Sequence, residues 1–185
     1  PPAPAKPWAG ERNATTWAAD CPQQRWDATA TRATGCDEDC FTLNVWTPSC
    51  DPGAALPVLV WFYGGSYLFG SATDPRSDGA SFARKGVVLV TVNYRVGLFG
   101  FFSHPHLTAE SEHGSSGNLG LLDAIAALRW VREHIAAFGG DPASVTAFGV
   151  SAGSASLSLL ACSPLAAGCF DRLILQSPGA WRPLA

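Results

Sequence analysis

Ser144-Val145-Thr146-Ala147-Phe148-Gly149-Val150-Ser151-Ala152-Gly153 decides the reading of this chain. Its first half is β-branched and aromatic, which suits a strand. The small residues from Ala152 to about Leu160 suit a short helix, and the glycines between mark a tight turn. Gly149-Val150-Ser151-Ala152-Gly153 therefore matches Gly-x-Ser-x-Gly. As a bare string this pentapeptide arises by chance in many loops, but between a strand and a helix it meets the requirements of a nucleophile elbow. A serine on so sharp a turn takes unusual backbone angles, and the flanking glycines leave room for the turn and for an approaching ligand. The following helix N-terminus aims its amides and the positive end of its dipole at the same place.

Working outward, Leu121, Ile125, Leu128, Val131, Ile135 and Phe138 recur at steps of four and three, an amphipathic stripe that Gly139-Gly140 ends. Upstream, Pro57 to Phe62 and Gly86 to Val92 are short runs apolar on both faces, as buried parallel strands are. Downstream, Leu173-Ile174-Leu175 reads as a further strand. Strands alternating with helices predict an α/β fold: a mostly parallel central sheet flanked by helices. The first 55 residues, rich in Pro, Ala, Thr and Asp and carrying four cysteines, read as a loop-rich lead-in with one short strand near Phe41 to Val45. Tyr63-Gly64-Gly65-Ser66 leaves the first long strand. A glycine-rich loop there lets backbone amides approach a reacting carbon, the second donor set that an oxyanion hole requires.

Composition narrows the partners. Twelve Lys+Arg against fifteen Asp+Glu give a formal charge of −3, which supplies no basic footprint for nucleic acid. Hydrophobic residues make up 47% and charged residues only 15%, which excludes disorder and leaves apolar surface to be covered by something else. The longest strongly apolar run, Leu56 to Phe62, is far short of a membrane span. No metal-ligand spacing, phosphate loop or dinucleotide fingerprint is present, so no cofactor and no metal site is expected. Six cysteines and the sequon Asn13-Ala14-Thr15 point to a secreted or extracytoplasmic, glycosylated protein.

Together these stretches resemble the type-B carboxylesterases and cholinesterase-like proteins of the α/β-hydrolase superfamily. Glu38 to Pro48 is similar to the family's acidic-Cys signature, with Phe41 where Leu is usual, and Tyr63-Gly64-Gly65-Ser66 to its oxyanion loop. Val92 to Gly97, Gly117 to Asp123 and Phe138 to Pro142 resemble three further segments, and the likeness runs from about Pro4 onward. It implies that Ser151 is the nucleophile of a carboxylic ester hydrolase acting on a small-molecule ester through an acyl-enzyme. It also implies an oxyanion hole made by the amides of Gly65, Ser66 and Ala152, and a Cys21–Cys40 disulfide. Cys36 with Cys50 and Cys162 with Cys169 are near in sequence, and their pairing stays open. Arg95 and Asp123 resemble a structural ion pair; Asp123 as a catalytic acid is the other reading, at odds with its place near the start of a helix before the nucleophile.

Ser66 stands where the family has a third glycine, and Val150 where it usually has Glu. The alternative function is accordingly a non-catalytic cholinesterase-like adhesion or interaction domain. In this fold the triad runs Ser, then Asp or Glu, then His. After Ser151 there is one acid, Asp171, and no histidine; His104, His106, His113 and His134 precede the serine and read as surface residues. The chain opens at Pro1 and holds no Met, so residues 1–185 are read as part of one larger domain that needs the remainder of its own polypeptide. By itself this piece is expected to be inactive.

Overall fold

The computed structural model describes residues 2–3, 8–24 and 31–178; Pro4, where the likeness begins, lies outside them. Among these residues five strands form one sheet: β1 (Leu43–Trp46), β2 (Leu56–Phe62), β3 (Val88–Val92), β4 (Gly140–Val150) and β5 (Arg172–Gln176). The spatial order is β1-β3-β2-β4-β5, with β1 antiparallel to β3 and the other pairs parallel. The helices are α1 (Ala80–Ala83), α2 (Gly97–Phe101), α3 (Pro105–Glu110), α4 (Leu119–His134) and α5 (Ala152–Ala161).

The pairing of Val60 with Ala147 and of Trp61 with Phe148 separates the two faces of the sheet. Val58, Val60 and Phe62 of β2 and Val145 and Ala147 of β4 are buried in one core with Ile125, Leu128 and Val131 of α4, Leu157 of α5 and Ile135. Each Val, Leu, Ile or Phe among them contributes roughly 1.5–3 kcal/mol when fully buried. On the other face, Phe148 meets the rings of Trp61 at 4.9 Å and of Phe82 in α1 at 6.4 Å. Helices thus cover both faces, and all five residues of β3 are buried.

The boundaries moved where local chemistry intervened. The amphipathic stripe continues past α4 as a 3-10 turn over Ile135–Phe138, ended by Gly139 at φ 74°. β4 begins at Gly140, four residues before Ser144, because Leu56 pairs with Gly140 while Val58 already pairs with Val145. The extra residues, Pro142 among them, form an irregularity that Pro tolerates and a regular ladder would not. Arg132 on α4 ties this segment down through the Pro142 carbonyl and Asp171, whose carboxylate also accepts the Val145 N–H at 2.8 Å.

The Arg132 guanidinium holds the Asp171 carboxyl below the ordinary carboxylate range. Because the folded-state value is the depressed one, this clamp contributes fully above the unfolded carboxylate's ordinary value near 4 and is lost as pH falls through the folded value. Asp171→Asn should therefore narrow the stability difference between neutral and acidic pH, measured as urea midpoints at the two conditions.

Asp123 is buried in the first turns of α4. Its carboxylate accepts the Arg95 backbone N–H at 3.0 Å, Nε at 2.8 Å and Nη2 at 2.6 Å, and its side chain is 1% exposed. Every described hydrogen bond of this carboxylate goes to Arg95, so it locks the end of β3 to α4, which is the structural reading. Removing one partner of a buried pair strands the other charge, at a cost of about 3–5 kcal/mol. Asp123→Ala should lose that much in urea unfolding.

Cys21 and Cys40 form a buried disulfide across nineteen residues. Closing a loop of that length contributes about 3 kcal/mol in the chain-entropy model. The Cys21→Ser, Cys40→Ser double variant should show a loss of that order in its urea midpoint. Cys36, Cys50, Cys162 and Cys169 are free, so neither of the two nearby pairs forms.

Candidate active site

β4 ends at Val150, and Ser151 turns the chain into α5 at φ 52°, ψ −120°. These are the angles of the first central residue of a type II′ turn, a position that normally takes glycine. The turn is held from both sides: Ser151 N–H donates to Gln176 O at the end of β5 at 2.9 Å, and Ser151 O accepts the Ala155 N–H at 2.8 Å. The serine side chain is exposed, while Ala152 and Gly153 are buried beneath it. No side chain caps α5, so no capping side chain accepts its first-turn N–H groups.

The second glycine is required by approach. A Cβ on Gly153 would sit 2.2 Å from Phe62 O and 2.5 Å from Tyr63 O, so α5 starts directly on the backbone of β2. The pairing of Phe62 with Gly149 then brings the loop after β2 level with the serine turn. A Cβ on Gly64 would meet Val150 O at 2.8 Å and Ser151 Cβ at 3.1 Å. The two glycine loops that the sequence places after separate strands are thus packed against each other.

Gly65, Ser66 and Tyr67 follow with φ of 126°, 55° and 62°. Gly65 O accepts the N–H groups of Leu68 and Phe69 at 2.9 and 3.3 Å, and Tyr67 O accepts that of Gly97 at 2.5 Å. Ser66 thus occupies a left-handed conformation that costs a residue with a Cβ roughly 1–2 kcal/mol and does not exclude it. Among the described residues, the backbone N–H groups of Gly65, Ser66 and Ala152 donate to no protein group.

Behind the loop, Tyr63 and Tyr94 stack at 4.4 Å and bond reciprocally. Tyr63 Oη donates to Tyr94 O at 2.8 Å, and Tyr94 Oη donates to Tyr63 O at 2.6 Å. Burial pushes both phenols up, so both stay neutral donors. The sequence does not signal this pair, since nothing in the spacing of two tyrosines that follow different strands, Tyr63 after β2 and Tyr94 after β3, brings them together.

The four histidines are exposed. His104 Nδ1 accepts the His106 N–H at 3.2 Å, and His134 ends α4 beside the start of β4, the opposite end of that strand from Ser151. Val150 places an apolar side chain next to the serine in sequence. Asn13 lies in an exposed stretch, its Oδ1 accepting the Thr15 N–H at 2.9 Å and Oγ1 at 2.7 Å. Among the described residues no three His, Cys, Asp or Glu side chains converge as metal ligands, and no helix is long and apolar enough to cross a membrane.

A family model described as the carboxylesterase family matches residues 1–185. The chain belongs to the carboxylesterase family. It is 50% identical over 185 residues to the fumonisin B1 esterase of Sphingopyxis macrogoltabida, covering 100% of this chain and 34% of that protein. A carboxylesterase of Geobacillus stearothermophilus superposes with a TM-score of 0.86 at 45% identity, covering 97% of this chain and 37% of the other. The juvenile hormone esterase of Manduca sexta, solved with OTFP covalently attached, gives a TM-score of 0.86 at 35% identity, covering 96% and 33%. The chain spans about a third of the length of the curated carboxylesterase-family relatives it matches. Such likeness fits the α/β-hydrolase sheet described above.

Proposed function

We propose that these residues are the nucleophile-bearing part of a serine carboxylic ester hydrolase. The observation that carries the reading is Ser151 itself, exposed at φ 52°, ψ −120° with Gly64 packed against its turn. Ser151 Oγ attacks the ester carbonyl carbon and gives its proton to a general base. The carbonyl oxygen, now an oxyanion, takes hydrogen bonds from the amides of Gly65, Ser66 and Ala152. Collapse expels the alcohol, which receives the proton, and leaves an acyl-enzyme; water then cleaves it by the same steps and restores the hydroxyl. Each donor in such a hole is worth roughly 10²- to 10³-fold in rate. The covalent OTFP adduct of the Manduca sexta relative and the esterase names of the curated relatives support a covalent ester-cleaving chemistry over an adhesion role.

The base is not one of the four histidines here. A serine without one stays weakly nucleophilic at neutral pH, so the acid and the histidine come from polypeptide outside these 185 residues. The isolated piece accordingly turns over no simple aryl ester above background. The small-molecule ester site, the Asn13 glycan and an extracytoplasmic setting belong to the same reading. Asn13 is exposed, and the Cys21–Cys40 bond suits an oxidising compartment.

The test is an organophosphonate ester applied to the full-length, folded protein, followed by peptide mass spectrometry. An adduct on Ser151 is expected. Its absence, with the protein intact by circular dichroism, would sink the hydrolase reading.

A further inference from the structure

Between the disulfide and the oxyanion loop stands one side chain with no assigned role, Gln23. Its Nε2 donates to Gly70 O at 2.8 Å and to Cys21 O at 3.0 Å, while its Oε1 accepts the Gly70 N–H at 2.7 Å. A single carboxamide thus takes both backbone groups of Gly70, as a neighbouring strand would. Gly70 is where the loop that starts at Gly64 comes back on itself. A Cβ there would lie 2.1 Å from the Tyr63 ring and 2.9 Å from Gly64 O, and its φ is 144°. The foot of the loop therefore rests on the residues that lead into it, and Gln23 fastens that foot.

Gln23 is itself fixed from the lead-in side. Cys21, whose carbonyl takes its other amide hydrogen, is 0% exposed and covalently joined to Cys40. The chain of connection runs from the disulfide through Cys21 O and Gln23 to Gly70, and from Gly70 back across Tyr63 to Gly64 and Gly65.

We propose, on the basis of the hydrolase reading above, that Gln23 is a positioning residue for the oxyanion hole. It holds Gly70 so that the Gly65 and Ser66 amides face the place where the ester oxygen becomes charged, and it touches no substrate. The chemistry suits the task. A carboxamide offers a donor and an acceptor in one plane, which matches the N–H and C=O of one glycine, and it does so without placing a charge near the developing oxyanion. A displacement of about 1 Å in such a site costs on the order of 100-fold in rate.

The test uses the full-length protein and two variants. Gln23→Ala removes the clamp. Gln23→Glu keeps the acceptor for the Gly70 N–H but faces the Gly70 and Cys21 carbonyls with a second acceptor. Steady-state hydrolysis of an aryl acetate should show kcat falling roughly 10- to 100-fold with KM within about threefold. Affinity for a trifluoromethyl ketone, whose hemiketal oxygen occupies the hole, should fall in parallel with kcat/KM. A merely structural glutamine would lower the melting temperature without this split between kcat and KM. If Gln23→Ala does not fold, Gln23→Glu decides alone. Wild-type kcat and ketone affinity, within twofold, in any folded variant overturns the proposal. The two readings fail differently: no phosphonate adduct on wild-type Ser151 ends the hydrolase reading, whereas an adduct formed at wild-type rate in the Gln23 variants ends only this one.

Discussion

With Ser151 replaced by alanine, the full-length protein should lose ester hydrolysis by a factor of about 10⁴ or more in kcat, and phosphonate labelling with it. KM should change little, because the hydroxyl contributes to the reaction and hardly to binding the intact ester. Stability separates this effect from misfolding. Alanine keeps a Cβ at φ 52°, ψ −120°, so its melting temperature should match the wild type. Ser151→Gly removes the conflict between that Cβ and the backbone, and should be equally inactive yet more stable by about 1 kcal/mol or more. An inactive, stabilised glycine variant would show that the serine is kept in this conformation at a cost, for its exposure at the top of the sheet. Retention of a tenth or more of the wild-type rate in Ser151→Ala would remove Ser151 from the mechanism.

Gly153→Ala should be among the most damaging single-methyl changes in the described fold. The added carbon would stand 2.2 Å from Phe62 O and 2.5 Å from Tyr63 O, and both are backbone atoms. A flexible neighbour can rotate away; a strand in mid-sheet cannot. Phe62 pairs with Gly149, and Tyr63 is locked by its reciprocal bonds with Tyr94. The helix must lift, opening the core around Leu157 and Leu160. We expect a loss of about 3 kcal/mol or more in urea unfolding, in the range of severe core disruptions. Activity should fall further than stability explains, because lifting α5 also carries the Ala152 amide away from the Gly65 loop. An alanine variant within 1 kcal/mol of wild type would mean that the contact between α5 and β2 is far softer than this spacing implies.

The parts of this molecule that were legible in its sequence are those where one local rule decides. β2, β3, α4 and the strand-turn-helix at Ser151 follow from apolar periodicity and from glycines that a turn or a close contact demands. The Cys21–Cys40 bond and the Arg95–Asp123 pair came from resemblance, and no spacing rule yields them. The early start of β4 at Gly140 was hidden, because Asp141-Pro142-Ala143 reads as a loop and joins the strand only through the shift against β2. Gln23 and the Tyr63–Tyr94 pair were invisible for a deeper reason. Each acts through backbone groups of residues far along the chain, and backbone groups carry no sequence signature. Ser66 shows the reverse: its type departs from the glycine expected there, and the loop nonetheless holds it at a left-handed φ of 55°.

The middle of the sheet has a kinetic consequence. β2 and β4 are neighbours in space, but β3 and four helices lie between them in the chain, so their pairing closes the longest loop of any strand pair in the described fold. Closing it carries an entropic penalty before any contact rewards it, which makes such pairings slow to form. The Gly64 loop and the Ser151 turn meet only across that pair. Recovery of phosphonate reactivity during refolding would therefore lag behind recovery of helical circular dichroism, and its rate would time the closure of the sheet itself.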